Sequence, residues 1–159
     1  MRSIFESPRS GYTRALFAAT PRHDRVVAEV ARRITDAVAG TRMKVRIDAE
    51  LRLDDLDSVV CPDITLAARK GPPRLIVEVS DTAPRLDAQE KEHLYARAGV
   101  EEYWHIDLAW NVWQTHDSPL RDGYGMRESG PSYRPTHTRL DGLGDVTLDE
   151  LLAAADDAA

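Results

Sequence analysis

The chain has 159 residues, of which 42% are hydrophobic and 30% charged, the balance of an ordinary globular protein. At this length we expect one domain over residues 1–159, built on a single core. The lone cysteine, Cys61, excludes an internal disulfide and a cysteine-rich zinc site. No apolar run approaches the roughly 20 residues of a membrane span, and no signal-peptide segment opens the chain. We therefore expect a cytoplasmic protein without membrane contact.

The net charge of −6 is distributed unevenly along the chain. Met1–Arg46 holds ten Lys or Arg and four acidic residues, whereas the acidic C-terminal end, Asp141–Ala159, holds six acidic residues and no Lys or Arg. Such segments are most often solvated surfaces. A polyanionic partner for the basic half is the alternative.

The N-terminal region predicts two short strands and then a helix. The strands are expected at Ser3–Phe5 and Ala15–Ala18. Thr20-Pro21 indicates a helix start, because an N-cap residue is followed by proline at the first helical position. The helix is expected to run to about Ala39 and to end at Gly40.

The sides of this helix differ in character. Its apolar stripe consists of Val27, Val30, Ala31, Ile34 and Val38. His23 lies over the first turn of the stripe, where a lone histidine more often packs or caps than binds a ligand. Glu29 projects from nearly the opposite side, so we expect it to face solvent. Arg25 and Arg32 also project away from the stripe, which would leave them free to bind phosphate.

Two strands are predicted after the helix. Met43–Leu53 alternates apolar and polar residues, as a half-buried strand does. Asp54–Ser58 is expected to be a turn. The second strand should run from about Val59 to Ala67, with Pro62 marking a bulge or an edge position. Asp63 follows that proline directly.

A central strand and a helix come next. Leu75–Ser80 is rich in β-branched residues and too short for a helix, which predicts a strand covered on both faces. Glu78 lies in its middle, and an unpaired buried carboxylate costs roughly several kcal/mol. This position therefore needs a partner or a metal. The helix predicted over Asp81–Ala98 places Asp87 and Lys91 on the arc that should face the core.

The remainder of the chain predicts further strands and one helix. The strands are expected at Val100–Asp107, Asn111–His116, Tyr124–Met126 and Tyr133–Thr138. Asp145–Ala155 should be a short helix, with Thr147 as its cap and Glu150 completing a capping box. The one clear strand–helix–strand crossover is Leu75–Asp107, so these elements predict an α/β domain with a mixed sheet.

Asp63 and Glu78 on adjacent strands, with Lys91 beyond, form the candidate site. The chain lacks a Gly-rich phosphate loop, a G-x-S-x-G elbow and an H-E-x-x-H helix, so those reaction classes are disfavoured. Mg²⁺ and Mn²⁺ prefer oxygen ligands, commonly one or two carboxylates with water and substrate phosphate. A lysine beside the metal can orient or deprotonate an attacking water and offset charge in the transition state. This set suits metal-assisted phosphodiester hydrolysis.

Two structural explanations of the same residues stay open. Asp87 and Lys91 could form an i,i+4 pair on the surface of the helix. Glu78 could pair with a buried arginine.

Several spaced motifs resemble a known family. They are Pro62-Asp63, Ile76-Val77-Glu78-Val79-Ser80, Asp87-x3-Lys91-x3-Tyr95 and the run Gly99–Asp107. Together with Pro21-Arg22-His23 at the first helix, they are similar to the Uma-two family of restriction-endonuclease-like proteins, within the PD-(D/E)XK nuclease superfamily. The resemblance covers about Thr20 to Ala109.

The resemblance implies a restriction-endonuclease-like (PD-(D/E)XK) core, with a mixed sheet flanked by helices and a site for Mg²⁺ (or Mn²⁺). Asp63 and Glu78 would be catalytic metal ligands, and Lys91 the catalytic lysine. In the superfamily's usual pattern the lysine lies where this chain has Ser80. The family places it on the following helix, where Lys91 stands.

The resemblance also implies a further acidic ligand near the N-terminus. Glu6 is the nearest match for it, and Glu29 is the alternative. Contacts to nucleic acid would come from the first helix, through His23, Arg22, Arg25 and Arg32.

Two functions from different classes follow. The first is a metal-dependent endonuclease that hydrolyses nucleic-acid phosphodiester bonds, with DNA as the expected partner. The complete set of Asp63, Glu78 and Lys91 favours it. The second is a catalytically inactive nuclease-fold module that binds nucleic acid or a protein, which the acidic net charge favours. Apolar surface is also expected from aromatic residues and would suit a homodimer. These residues are Tyr103, Trp104, Trp110 and Trp113.

Overall fold

A computed structural model describes residues 19–53, 58–81 and 85–159, without the side chains of residues 85–87. The predicted strands at Ser3–Phe5 and Ala15–Ala18, and the candidate ligand Glu6, lie outside this part. The helices are α1 (Pro21–Ala37), α2 (Arg85–Arg97) and α3 (Leu148–Asp157). The strands are β1 (Lys44–Ile47), β2 (Leu51–Leu53), β3 (Ser58–Val60), β4 (Ile64–Ala67), β5 (Leu75–Ser80), β6 (Glu102–Asp107), β7 (Val112–Leu120) and β8 (Gly123–Gly130).

Six of these strands form one mixed sheet, in the order β1-β4-β5-β6-β7-β8. Strands β5 and β6 are parallel and joined through α2, whereas the other neighbouring pairs are antiparallel. β2 and β3 form a separate antiparallel pair. The predicted mixed sheet flanked by helices is confirmed. No helix in the described ranges is long and apolar enough to cross a membrane.

Strand β5 is an internal strand of the sheet, and the side chains on its two faces pack against different elements. Leu75, Val77 and Val79 belong to the larger hydrophobic cluster, which is completed by α1 and α3. Ile76 belongs to a second cluster, which α2 covers with Tyr95. Because successive side chains of a strand point to opposite faces, Glu78 shares the α2 face with Ile76.

Both terminal helices begin at predicted caps. The Thr20 side chain accepts a hydrogen bond from the backbone N–H of His23, and Pro21 opens α1. Thr147 and Glu150 form the predicted capping box of α3. The two helices pack side by side, and Arg25 of α1 lies 3.8 Å from Asp156 of α3.

Three strand predictions were wrong. The strand expected over Met43–Leu53 breaks at Asp48, which has a φ of 50°, and Ile47 at the break is 51% exposed. The strand expected over Val59–Ala67 is two strands, because the chain leaves β3 before Pro62, which cannot donate a ladder hydrogen bond. Tyr133–Thr138 forms no strand, since its only ladder contact is an isolated bridge from Pro135.

Two predictions of exposure were also wrong. Tyr103, Trp104 and Trp113 are at most 2% exposed, because the sheet faces on which they lie are both covered. Trp110, on the turn after β6, is 67% exposed. Glu29 is only 9% exposed, although it lies away from the apolar stripe.

Candidate active site

Asp63 and Glu78 lie side by side on the α2 face of the sheet. Ile64 pairs with Val77, so the residues next to them, Asp63 and Glu78, stand opposite each other on adjacent strands. Oδ2 of Asp63 accepts a hydrogen bond of 2.7 Å from the backbone N–H of Val79. Asp63 therefore lies between Pro62 and the first residue of β4, with its carboxylate held against β5 by this hydrogen bond.

Glu78 is buried with two partners from α2. The hydroxyl of Tyr95 donates a 2.6 Å hydrogen bond to Oε1 of Glu78, and Nζ of Lys91 lies 3.5 Å from the same oxygen. Lys91 and Tyr95 are four residues apart, so they occupy one face of the helix. The Glu78 side chain is 10% exposed and that of Lys91 is 24% exposed. These contacts offset the desolvation of the carboxylate.

Tyr95 remains a neutral hydrogen-bond donor. Its ring is fully buried, and burial together with the neighbouring charge of Glu78 raises its pKa well above the usual value. Near neutral pH the hydroxyl therefore keeps its proton and donates a hydrogen bond to the charged Glu78 carboxylate.

His23 reaches the site from the start of α1. Its Nε2 lies 3.2 Å from Oδ1 of Asp63, and its side chain is 13% exposed. Burial would lower the pKa of His23, but the hydrogen bond and charge of Asp63 raise it to about 9. The hydroxyl of Thr20 donates to Oδ2 of Asp81, which ties the start of α1 to the end of β5 and holds His23 over Asp63.

The polar residues continue across the sheet as a row. His105 pairs with Glu78 and Gln114 pairs with His105, which gives a polar row of Asp63, Glu78, His105 and Gln114. Ser80, at the position of the usual superfamily lysine, has its Oγ 2.8 Å from Nε2 of His105. Burial lowers the pKa of His105, so the ring is neutral near neutral pH.

Part of the donor set that a hard divalent cation needs lies on this face. Asp63 and Glu78 supply carboxylate oxygens, and Mg²⁺ is commonly held by one or two carboxylates while water and substrate phosphate fill its remaining positions. Among the residues that the structure describes, no group of three or more His, Cys, Asp or Glu could hold a metal ion. A third acidic ligand, if present, would come from outside the described ranges, as Glu6 would.

Glu29 is engaged elsewhere. Its carboxylate accepts hydrogen bonds of 2.8 Å from Arg32 and 2.7 Å from Arg33, on its own helix. The hydrogen bond from Arg32 is the main reason why the pKa of Glu29 is lowered. The expectation of a solvent-facing carboxylate was wrong, because two guanidinium groups hold it against the helix.

The arginines predicted to be free are also paired. Arg32 bonds to Glu29 and lies 3.1 Å from Asp36, while Arg25 lies near Asp156. Arg22 is half-buried. The direction of a side chain relative to the core indicates its exposure, but the acidic neighbours one turn away and on α3 decide whether its charge is paired.

Better placed cations lie on the edge strand. Arg46 pairs with Thr65 and Lys44 with Ala67, so both point to the sheet face that carries Asp63 and Glu78, and both are exposed. The sequence signal for them was the alternation of β1, which sets Lys44 and Arg46 opposite the apolar Val45. His105 was also missed, because its position beside Glu78 depends on the β5–β6 register.

Comparison with known proteins gives one family and two solved structures. The Uma2 family model, described as "Putative restriction endonuclease", matches residues 10–128, which confirms the resemblance seen in the sequence motifs. A nuclease assigned to DUF820 from Anabaena variabilis, described as putative, shares 12% identity, with a TM-score of 0.68 over 84% of this chain and 82% of that one. This likeness confirms the fold.

A structure of DrdV bound to DNA shares 17% identity, covering 83% of this chain and 14% of that one, with a TM-score of 0.37. That similarity is too low to support any conclusion. A search of curated proteins gives no match.

Proposed function

The chain belongs to the Uma2 family of restriction-endonuclease-like proteins, and from this premise we propose that it is a metal-dependent endonuclease that cleaves DNA. The observation that supports the proposal is that Asp63 and Glu78 share one sheet face, while Nζ of Lys91, on α2, lies 3.5 Å from Oε1 of Glu78. The three residues come from three successive elements of the chain and are brought together by the fold.

Each residue has a role in this proposal. Asp63 and Glu78 would hold Mg²⁺ or Mn²⁺, and the bound ion would offset negative charge on the scissile phosphate. Lys91 orients the attacking water and stabilises the charge that develops on the phosphate oxygens. Tyr95 fixes the Glu78 carboxylate through its 2.6 Å hydrogen bond. The exposed Lys44 and Arg46 bind the DNA backbone beside the site.

A nuclease-fold module without catalysis is the second candidate. It is favoured by the charges already present in this site, since His23 lies 3.2 Å from Asp63 and Lys91 lies 3.5 Å from Glu78. Two carboxylates matched by two cations need no metal for balance. In that case the chain would bind nucleic acid or a protein without cleaving it.

Plasmid nicking with Mg²⁺, Mn²⁺ or EDTA tests the proposal. Wild type should nick DNA only with metal. Glu78→Gln should abolish nicking and the metal-induced rise in Tm, because it removes a ligand charge. Lys91→Ala should slow nicking ~100-fold or more, the scale of a lost charge stabiliser, and keep the metal-induced rise.

Glu90→Gln is the matched control, since Glu90 is an exposed acidic residue on the same helix. It should behave as wild type. A wild-type chain that neither nicks DNA nor shifts its Tm with metal would rule out the enzyme and leave the binding module.

A further inference from the structure

A groove of about 270 Å³ lies next to the candidate active site, between α2 and strands β6 and β7. His105 and Gln114, the last two members of the polar row, line its floor. Gln89 and Glu92 of α2 form one wall, and Trp110 stands on the opposite rim. Neighbouring strands lie ~5 Å apart, so the groove begins one strand away from Glu78.

The rim of the groove carries an exposed aromatic ring. Trp110 is 67% exposed, whereas Trp104 and Trp113 are buried in the core. Its backbone N–H donates a 3.1 Å hydrogen bond to Oδ1 of Asp107, which also accepts from Ala109. These hydrogen bonds hold the backbone of the turn after β6, which carries Trp110 beside the groove.

The chemistry of the lining disfavours a phosphate. Glu92 and Asp107 are acidic, and no Lys or Arg is among the described residues that line the groove. Glu92, in the wall, is only 4% exposed and is paired with Arg127, while its Oε2 lies 3.7 Å from Nε2 of His116. Amide and carboxylate oxygens accept hydrogen bonds from exocyclic amino groups of nucleobases.

We propose that this groove binds an unstacked nucleobase of the substrate strand, next to the scissile phosphate, with Trp110 stacking on the base. Gln89 and Gln114 then hydrogen-bond the edge of the base, and Asp107 disfavours a backbone phosphate in the groove. The inference rests on the proposed nuclease function, because the polar row joins the groove to Asp63 and Glu78. The base comes from a single strand or is extruded from a duplex, as enzymes that act on unstacked bases do.

Binding measured in EDTA, so that no cleavage occurs, tests the groove. The probes are two short fluorescein-labelled single strands that differ only in a central base, present in one and abasic in the other. Wild type should bind the strand with the base ~10-fold or more tightly than the abasic strand, the scale of one base–aromatic stack. Trp110→Ala should lose this preference and leave the affinity for the abasic strand unchanged. Trp110→Phe should restore most of it.

Tyr133→Ala is the matched control, because Tyr133 is 72% exposed but does not line the groove. It should keep the preference. Duplexes with a paired or a mismatched central base identify the source of the base: tighter binding of the mismatched duplex indicates extrusion, and binding of the single strand alone indicates a single-stranded substrate.

Two results would overturn the inference: no preference in wild type, or a Trp110→Ala chain that retains the wild-type preference or loses affinity equally for both strands. Nicking assays keep this separate from the proposed function. Metal-dependent nicking without a base preference would refute base binding in the groove and support the nuclease function. A base preference without nicking would refute the nuclease function and support the groove as a base-binding site.

Discussion

Replacing Tyr95 by Phe should measure how much the hydrogen bond to the buried Glu78 carboxylate contributes to the stability of the fold. Tyr95 is fully buried, and its ring packs edge-on against that of Tyr103 with 5.2 Å between the ring centroids. Its hydroxyl donates a hydrogen bond to Oε1 of Glu78. Phe keeps the ring and removes the hydroxyl alone. A hydrogen bond to a charged group is worth ~1.5–3 kcal/mol. At ~2–4 °C per kcal/mol for a domain of this size, the Tm should fall by ~3–12 °C.

Tyr124→Phe gives the comparison that isolates the charge. Tyr124 lies in the same cluster, and its hydroxyl donates a 2.8 Å hydrogen bond to a neutral acceptor, the backbone carbonyl of Val100. Its loss should cost only ~0.5–1.5 kcal/mol. Thermal and urea unfolding of both variants, without metal, provide the two values. Equal losses, or a larger loss for Tyr124→Phe, would refute the argument that Glu78 is held as a charged group.

Two further predictions concern pH and salt. Burial raises the pKa of Glu102 above its ordinary value of 4.5, despite hydrogen bonds from Trp104 and Arg139. Between pH 4.5 and the raised pKa, the folded chain therefore binds more protons at Glu102 than the unfolded chain does. The free energy of unfolding falls as pH rises through this range. The urea midpoint of Glu102→Gln should therefore increase relative to that of wild type as pH rises. A difference between the two midpoints that does not change with pH would contradict this. For DNA binding, Lys44→Ala and Arg46→Ala should each reduce the slope of log K against log salt by ~0.9, whereas Arg32→Ala, whose charge is paired on α1, should leave it nearly unchanged.

The sequence predicted the centre of the fold well because local and global signals agree there. Leu75–Ser80 is apolar, β-branched and bounded by loops, and it forms the internal strand β5. The helix after it places Lys91 on the inward arc that its spacing indicated. The motifs of the Uma2 family pointed to the same residues.

The errors arose where tertiary contacts decide the outcome. The alternation of Met43–Leu53 predicts one strand, but the left-handed conformation of Asp48 ends β1 and sends the chain to a second sheet. The pairing of Arg25 with Asp156 depends on the packing of α3 against α1, which no local pattern contains. His105 joined the polar row for the same reason, since only the parallel β5–β6 register brings it beside Glu78.

The alternation of β5 has a consequence for the fidelity of folding. Its even-numbered side chains face α2 and its odd-numbered ones enter the main core, so a shift of one residue against β6 would exchange the two sets. Glu78 would then lie in the apolar cluster, and Val77 or Val79 would take its place beside Lys91. Such a misfolded chain would lose stability and the candidate active site together. Molecules that unfold cooperatively, as a native core does, should therefore all carry the same arrangement of Glu78 and Lys91. A stable form with a disrupted site should not accumulate.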